Sequence, residues 1–199
     1  MKETLPWINL AVLVLSSALA AVLYTRSVRP EAWSRQIGPR AYLLSGKLRT
    51  LAMVFMFTGL GNYLLYFFFP LPIGMPLRLP WNYGLSLCLA ILIAIPAGYF
   101  LVRGVMDAGE EAAMPAREHV LFSGVYERLR HPQAWEVMIW FVLAFLLHSP
   151  FLVLYSCLWL PLEYWMVMSE EKDLLLRYGR EYKSYQKRTP AFFPRLKDG

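Results

Sequence analysis

Residues 135–168 read WEVMIWFVLAFLLHSPFLVLYSCLWLPLEYWMVM. Two apolar runs, Trp135–Leu147 and Phe151–Met168, are separated only by His148, Ser149 and Pro150. This is the pattern of a tight helical hairpin. The region of Pro132 extends it at its N-terminal end, because proline suits the first turn of a helix.

Outward from the hairpin, Leu5–Tyr24, Leu51–Phe69 and Trp81–Val102 are further apolar runs. Each approaches the ~20 residues a helix needs to cross hydrocarbon. The chain is 57% hydrophobic with a mean hydropathy of +0.39, too apolar for an ordinary soluble domain of 199 residues. The expected fold is all-α: an integral membrane bundle of about five transmembrane helices, with a C-terminal helical hairpin and a cytoplasmic interfacial tail helix. We read a single membrane domain over 1–199, with three N-terminal spans in 1–102 and the hairpin half in 103–199. The first run reads as a true span, since it exceeds the apolar region of a signal peptide and lacks a small-residue cleavage site followed by a soluble domain.

Charge placement gives an orientation. Apart from Lys2 and Arg78, all of the 20 Lys and Arg residues fall within 26–49, within 103–133 or after Met168. The positive-inside rule then predicts an odd number of spans, with the N-terminus outside and the C-terminus cytoplasmic. A net charge of +6 on so apolar a chain points to anionic lipid headgroups and away from nucleic acid. Cys88 and Cys157 sit in apolar runs without ligand-type neighbours, so they read as buried inert thiols, and no metal site is expected. Gly59 and Gly61 read as positions of close helix packing. Pro70–Pro80 reads as a stiff connector. There is no glycine-rich phosphate loop or dinucleotide fingerprint.

Charged groups at membrane depth cost about 2.5–3.5 kcal/mol each on insertion scales, so those retained need an account. Glu136 and Glu163 are two of them. In one reading each snorkels or pairs with Arg128 or Arg130; in the other they line a polar pocket that opens from the inner face. Glu163 and Glu170 are seven residues apart and share a helix face. Upstream, REHVLFSGVYERLRHP (117–132) gathers His119, Tyr126, Arg130 and His131, with Gly124 permitting a sharp turn. Downstream, SEEKDLLLRYGREYKSYQKRTPAFFP (169–194) reads as an interfacial helix whose Tyr182 and Tyr185 rest on anionic lipid.

One ordered set runs through this half: Gly124-x-Tyr126, Arg130-His131-Pro132, the hairpin, Glu170-Glu171, Tyr178-Gly179-x-x-Tyr182 and Pro194. Over roughly residues 100–195 it resembles the C-terminal half of the isoprenylcysteine carboxyl methyltransferase and phospholipid methyltransferase family. These are small integral membrane enzymes that use S-adenosylmethionine and release S-adenosylhomocysteine. The resemblance implies a cofactor site of His119, Val120, Leu121, Phe122, Tyr126, Arg130, His131, Pro132 and Glu170. Carboxylate and aromatic faces suit the sulfonium and ammonium charges, and Arg130 suits the cofactor carboxylate. The implied reaction moves a methyl group to a lipophilic or amphipathic acceptor from the inner leaflet, such as a lipid amine, a prenylcysteine-like carboxylate or a small thiol. Glu136 or Glu163 would be the catalytic base for an amine or a thiol.

The sequence departs from the family pattern at several positions. The interval from His119 to Tyr126 is one residue shorter than in the isoprenylcysteine enzymes. Ala134 stands where the family has Tyr, and Glu136 where it has Gly. Met166 replaces an Arg that contacts the substrate in the isoprenylcysteine enzymes, which weakens the case for a carboxylate acceptor. Two alternatives follow from the same residues. Sterol-type membrane reductases, which use NADPH, share an Arg-His-Pro hairpin, and a non-catalytic membrane scaffold or binding protein would account for Ala134 and Glu136.

Overall fold

The computed structural model describes residues 4–117 and 123–194, which are mostly helical with no strand among them. The helices are α1 (Leu5–Ser27), α2 (Pro30–Ile37), α3 (Arg40–Leu65), α4 (Tyr83–Ala108), α5 (Val137–Leu146), α6 (Pro150–Tyr178) and α7 (Arg180–Arg188). Short 3₁₀ turns occupy Gly109–Ala112, Gly124–Glu127 and Pro132–Glu136. Four stretches are long and apolar enough to cross a membrane: Leu5–Ser27, Arg40–Leu65, Tyr83–Ala112 and Pro150–Tyr178.

A shorter apolar stretch, Pro132–Leu146, also runs along the bundle and uses a different geometry. Alone, the ten residues of α5 rise about 15 Å. The 3₁₀ stretch Pro132–Glu136 adds about 10 Å, because each 3₁₀ residue rises further than an α residue. Its ends lie at opposite ends of the bundle. His131 meets Glu171 near the C-terminal end of α6, with Nε2 3.0 Å from Oε1. At the other end His148 Nδ1 is 2.7 Å from Ser86 Oγ at the start of α4, and its carbonyl accepts from Leu79 N at 3.1 Å.

The remaining helices alternate in the same way. Asn9 Nδ2 near the start of α1 donates to the Asn62 carbonyl near the end of α3 (2.9 Å). Arg49 near the start of α3 reaches the Glu111 carbonyl just past α4. Close approach of α1 and α3 explains Gly59, where a Cβ would lie 3.2 Å from Ser16 Oγ. Gly61, expected to do the same, faces open space: a Cβ there would meet nothing within 4 Å, so it contributes no packing.

At the centre, Tyr63 is fully buried. Its hydroxyl donates to the Trp140 carbonyl (2.8 Å) and lies 3.1 Å from the Leu152 carbonyl oxygen and 2.8 Å from Ser156 Oγ. Trp140 stacks on Trp159 with ring centroids 5.0 Å apart. This pins the hairpin to α3. The hairpin turn is tight enough to hold His148 at φ +52°, and Ser149 caps α6 by accepting from Leu152 N.

Several expectations change. Residues 26–49, read as a loop, are mostly helical. The amide N–H groups that open α2 are satisfied by the Asp173 carboxylate of α6, from Glu31 at 3.1 Å and Ala32 at 2.8 Å. The second span therefore begins at Arg40 and ends before Phe67–Phe69. Cys88 and Cys157 are exposed on the outer flanks of their helices, not buried. The same outward surface carries Leu15, Phe57, Leu92, Ile95 and Trp165, each 63–68% exposed, an apolar belt suited to lipid. The tail does not rest its aromatics on lipid: Tyr182 and Tyr185 are 2% and 3% exposed, turned inward against the bundle, with the basic face outward. Burying two large rings in protein displaces more water than laying them at an interface, and the Tyr185 hydroxyl gains the Tyr126 carbonyl (2.5 Å) as acceptor.

Candidate functional site

The site forms where the hairpin mouth, α6 and the tail converge. Gly124 has φ +62°, and a side chain there would collide with the Asp107 carboxylate, which accepts from Val125 N at 2.7 Å. Glycine thus lets the chain turn against the end of α4. Tyr126 then donates to the Gly104 carbonyl (3.0 Å), and Pro132 and Gln133 pack where a Cβ on Gly104 would lie 3.0–3.1 Å from them.

Arg130-His131 is clasped by the tail. Arg130 N donates to the Pro190 carbonyl (2.9 Å), His131 N to the Ala191 carbonyl (3.1 Å) and Trp135 Nε1 to the Phe192 carbonyl (3.0 Å). The Arg130 guanidinium donates through Nε to Glu171 Oε1 (2.7 Å) and through Nη1 to the Gln186 and Thr189 carbonyls, while Nη2 lies 2.6 Å from the same Glu171 oxygen. Gln186 Nε2 donates to the other Glu171 oxygen at 2.9 Å.

His131 lies between two carboxylates. Nδ1 is 3.3 Å from Glu170 Oε2 and Nε2 is 3.0 Å from Glu171 Oε1. Burial by itself would lower its pKa, but bonds to both glutamates outweigh burial and raise it above the ordinary histidine value. Both ring nitrogens face carboxylates, an arrangement that an imidazolium satisfies by donating twice.

Above this clasp a cleft is lined by Tyr24, Tyr126, Tyr178, Glu163, Glu170 and Arg49, among others. It shares Tyr24, Arg49, Ala112 and Gln133 with an apolar cavity of about 230 Å³. Met53, Met56, Leu101, Trp159 and Met166 form much of that cavity, and Glu136 stands in its wall. Among the described residues neither Glu136 nor Glu163 has a hydrogen-bond or ion-pair partner. Their expected pairing with Arg128 or Arg130 does not occur: Arg128 is exposed, and Arg130 is held by Glu171 and the tail.

Tyr126, Arg130, His131, Pro132, Glu163 and Glu170 come together at one cleft, with Glu136 in the adjoining cavity. His119, Val120, Leu121 and Phe122 lie outside the described residues. Arg130 differs from the expectation in role, because its donors are already engaged. Sequence reasoning missed Tyr24, Arg49, Glu111 and Arg177. Arg177 pairs with Glu111 (3.0 Å) and donates to the Ala116 carbonyl, while Arg49 Nη1 donates to the Glu111 and Ala112 carbonyls at 2.8 and 2.9 Å. A signal exists for Arg49, a charge at the edge of an apolar run, but in sequence it looks no different from the loop bases beside it.

Compared with models of protein families, with characterised proteins and with solved structures, the chain matches none.

Proposed function

We propose that the protein is a membrane-embedded methyltransferase that moves a methyl group from S-adenosylmethionine to a lipophilic or amphipathic acceptor. One observation carries this reading: a polar cleft containing Tyr126, His131 and Glu170 shares a wall with an apolar cavity bearing an unpaired carboxylate. The residues fit the cofactor's chemistry. Glu170 offers a carboxylate to a sulfonium or an ammonium, tyrosine faces suit a cation or a purine, and the Nε–H groups of Arg49 and Arg177 are buried without acceptors.

When bound, S-adenosylmethionine supplies an electrophilic methyl group on sulfonium sulfur. The protein's part is positioning and exclusion of water. His131 Nδ1 lies 3.3 Å from Glu170 Oε2 and so fixes that carboxylate in direction. The helical repeat of α6 puts Glu163 on the same face two turns away. The methionine-rich cavity takes the apolar part of the acceptor, and Glu136 is within its wall to accept a proton from an amine or a thiol. By the positive-inside rule the cleft faces the cytoplasm, because the basic residues gather at its end of the bundle while Arg78 is near the other.

Calorimetric titration of detergent-purified protein with S-adenosylhomocysteine tests the reading. Binding is expected, with a loss of about tenfold or more in Glu170→Ala, the size of a lost hydrogen bond to a charged group. Absence of binding at millimolar ligand would refute it. Saturable binding of NADPH in its place would favour the reductase alternative.

A further inference from the structure

Arg49 is a guanidinium in a membrane helix, 7% exposed, and it borders both the cleft and the cavity. Only part of it is used. Nη1 donates to the Glu111 and Ala112 carbonyls, and the head lies over the Tyr24 ring at 5.9 Å. Its Nε is buried with no hydrogen-bond partner. Among the described residues it has no carboxylate within ion-pair distance, although Glu136 stands in the same cavity wall. Glu163 and Glu170 line the same cleft without touching it, and a buried guanidinium with no carboxylate in direct contact has its full set of donors satisfied only when an acceptor arrives.

Position sharpens the point. Arg49 stands in the wall common to the polar cleft and the apolar cavity. The surrounding apolar walls would strengthen its interaction with an anion, because they keep water from screening it.

We infer that Arg49 is an anion-binding residue: it takes a ligand carboxylate at the junction of the cleft and the apolar cavity. Two ligands present that chemistry, the amino-acid end of the adenosyl cofactor and the head of a carboxylate amphiphile whose chain fills the cavity. The first source rests on the methyltransferase reading and the second does not, so the two fail separately. Nη1 remains on the backbone carbonyls as the fixed pivot, and the Nε–H edge meets the ligand.

Titration of purified protein with two probe pairs tests the site. S-adenosylhomocysteine is paired with 5′-methylthioadenosine, which lacks the amino-acid end, and dodecanoate with dodecanol. Arg49→Gln is compared with wild type and with Arg49→Lys, which keeps the charge. The inference expects Arg49→Gln to weaken the carboxylate member of at least one pair by about tenfold or more while leaving its neutral partner unchanged. Arg49→Lys should recover part of the loss. Selective loss of S-adenosylhomocysteine assigns the anion to the cofactor, and selective loss of dodecanoate assigns it to the amphiphile. If wild type binds neither nucleoside, the methyltransferase reading fails, while the dodecanoate pair still decides Arg49. Equal weakening within both pairs, or no weakening at all, overturns the inference and leaves Arg49 as a strut for the end of α4.

Discussion

Glu171 is the keystone of the clasp, and its removal has a calculable effect. One carboxylate accepts from Arg130 Nε and Gln186 Nε2, lies 2.6 Å from Arg130 Nη2, and meets His131 Nε2 at 3.0 Å. The side chains of Arg130, His131 and Glu171 are 11%, 5% and 10% exposed. Truncation to alanine leaves two shielded positive charges short of their main partner, a class of change that costs about 3–5 kcal/mol. Arg130 keeps the Gln186 and Thr189 carbonyls, and His131 keeps Glu170, so the lower end, about 3 kcal/mol, is expected. For a chain of this size that lowers Tm by roughly 6–12 °C. Thermal unfolding in detergent of Glu171→Ala, Arg130→Ala and the double variant provides the measurement. The double variant should lose much less than the sum of the singles, because each single has already broken the same unit. Additive losses, or a Glu171→Ala shift within about 2 °C of wild type, would show that the clasp does not hold the tail.

Three further outcomes follow from described geometry. His131 binds its proton more tightly folded than unfolded, so its stabilising contribution is complete below the ordinary value of 6.5 and is lost as pH rises through the higher folded value. A Tm–pH profile should therefore fall on the alkaline side, and His131→Gln should flatten it; an unchanged slope would contradict a charged imidazolium between Glu170 and Glu171. Tyr63→Phe removes a buried hydroxyl from two carbonyls and Ser156, at a cost of about 1–3 kcal/mol read as lowered Tm, with the cleft unaffected. Gly104→Val forces Pro132 and Gln133 off α4, costing about 1–3 kcal/mol, and should also weaken S-adenosylhomocysteine binding because Pro132 lines the cleft.

The sequence carried the hairpin and the long spans plainly, since uninterrupted apolar runs have few other uses. It carried the shared face of Glu163 and Glu170 because helical period alone sets it. The role of Arg130 was hidden, because its acceptors at Glu171 and Thr189 are 41 and 59 residues away and two of its bonds go to backbone carbonyls with no sequence signature. The tail tyrosines mislead for a similar reason: a stripe on a basic helix looks the same whether it meets lipid or protein. Span ends were the least legible feature. The start of α2 depends on a carboxylate in another helix, and no local cap marks it.

That carboxylate also bears on the order in which the chain assembles. The eight residues of α2 are too few to persist as an isolated helix in water. Their opening N–H groups find Asp173, 142 residues further along from Glu31. During synthesis the first two spans can insert while the segment between them waits, and it settles only when the last span has been made. The N-terminal half therefore cannot finish folding without α6, so a truncation just before Pro150 should leave a protease-sensitive segment around Glu31 at the membrane surface.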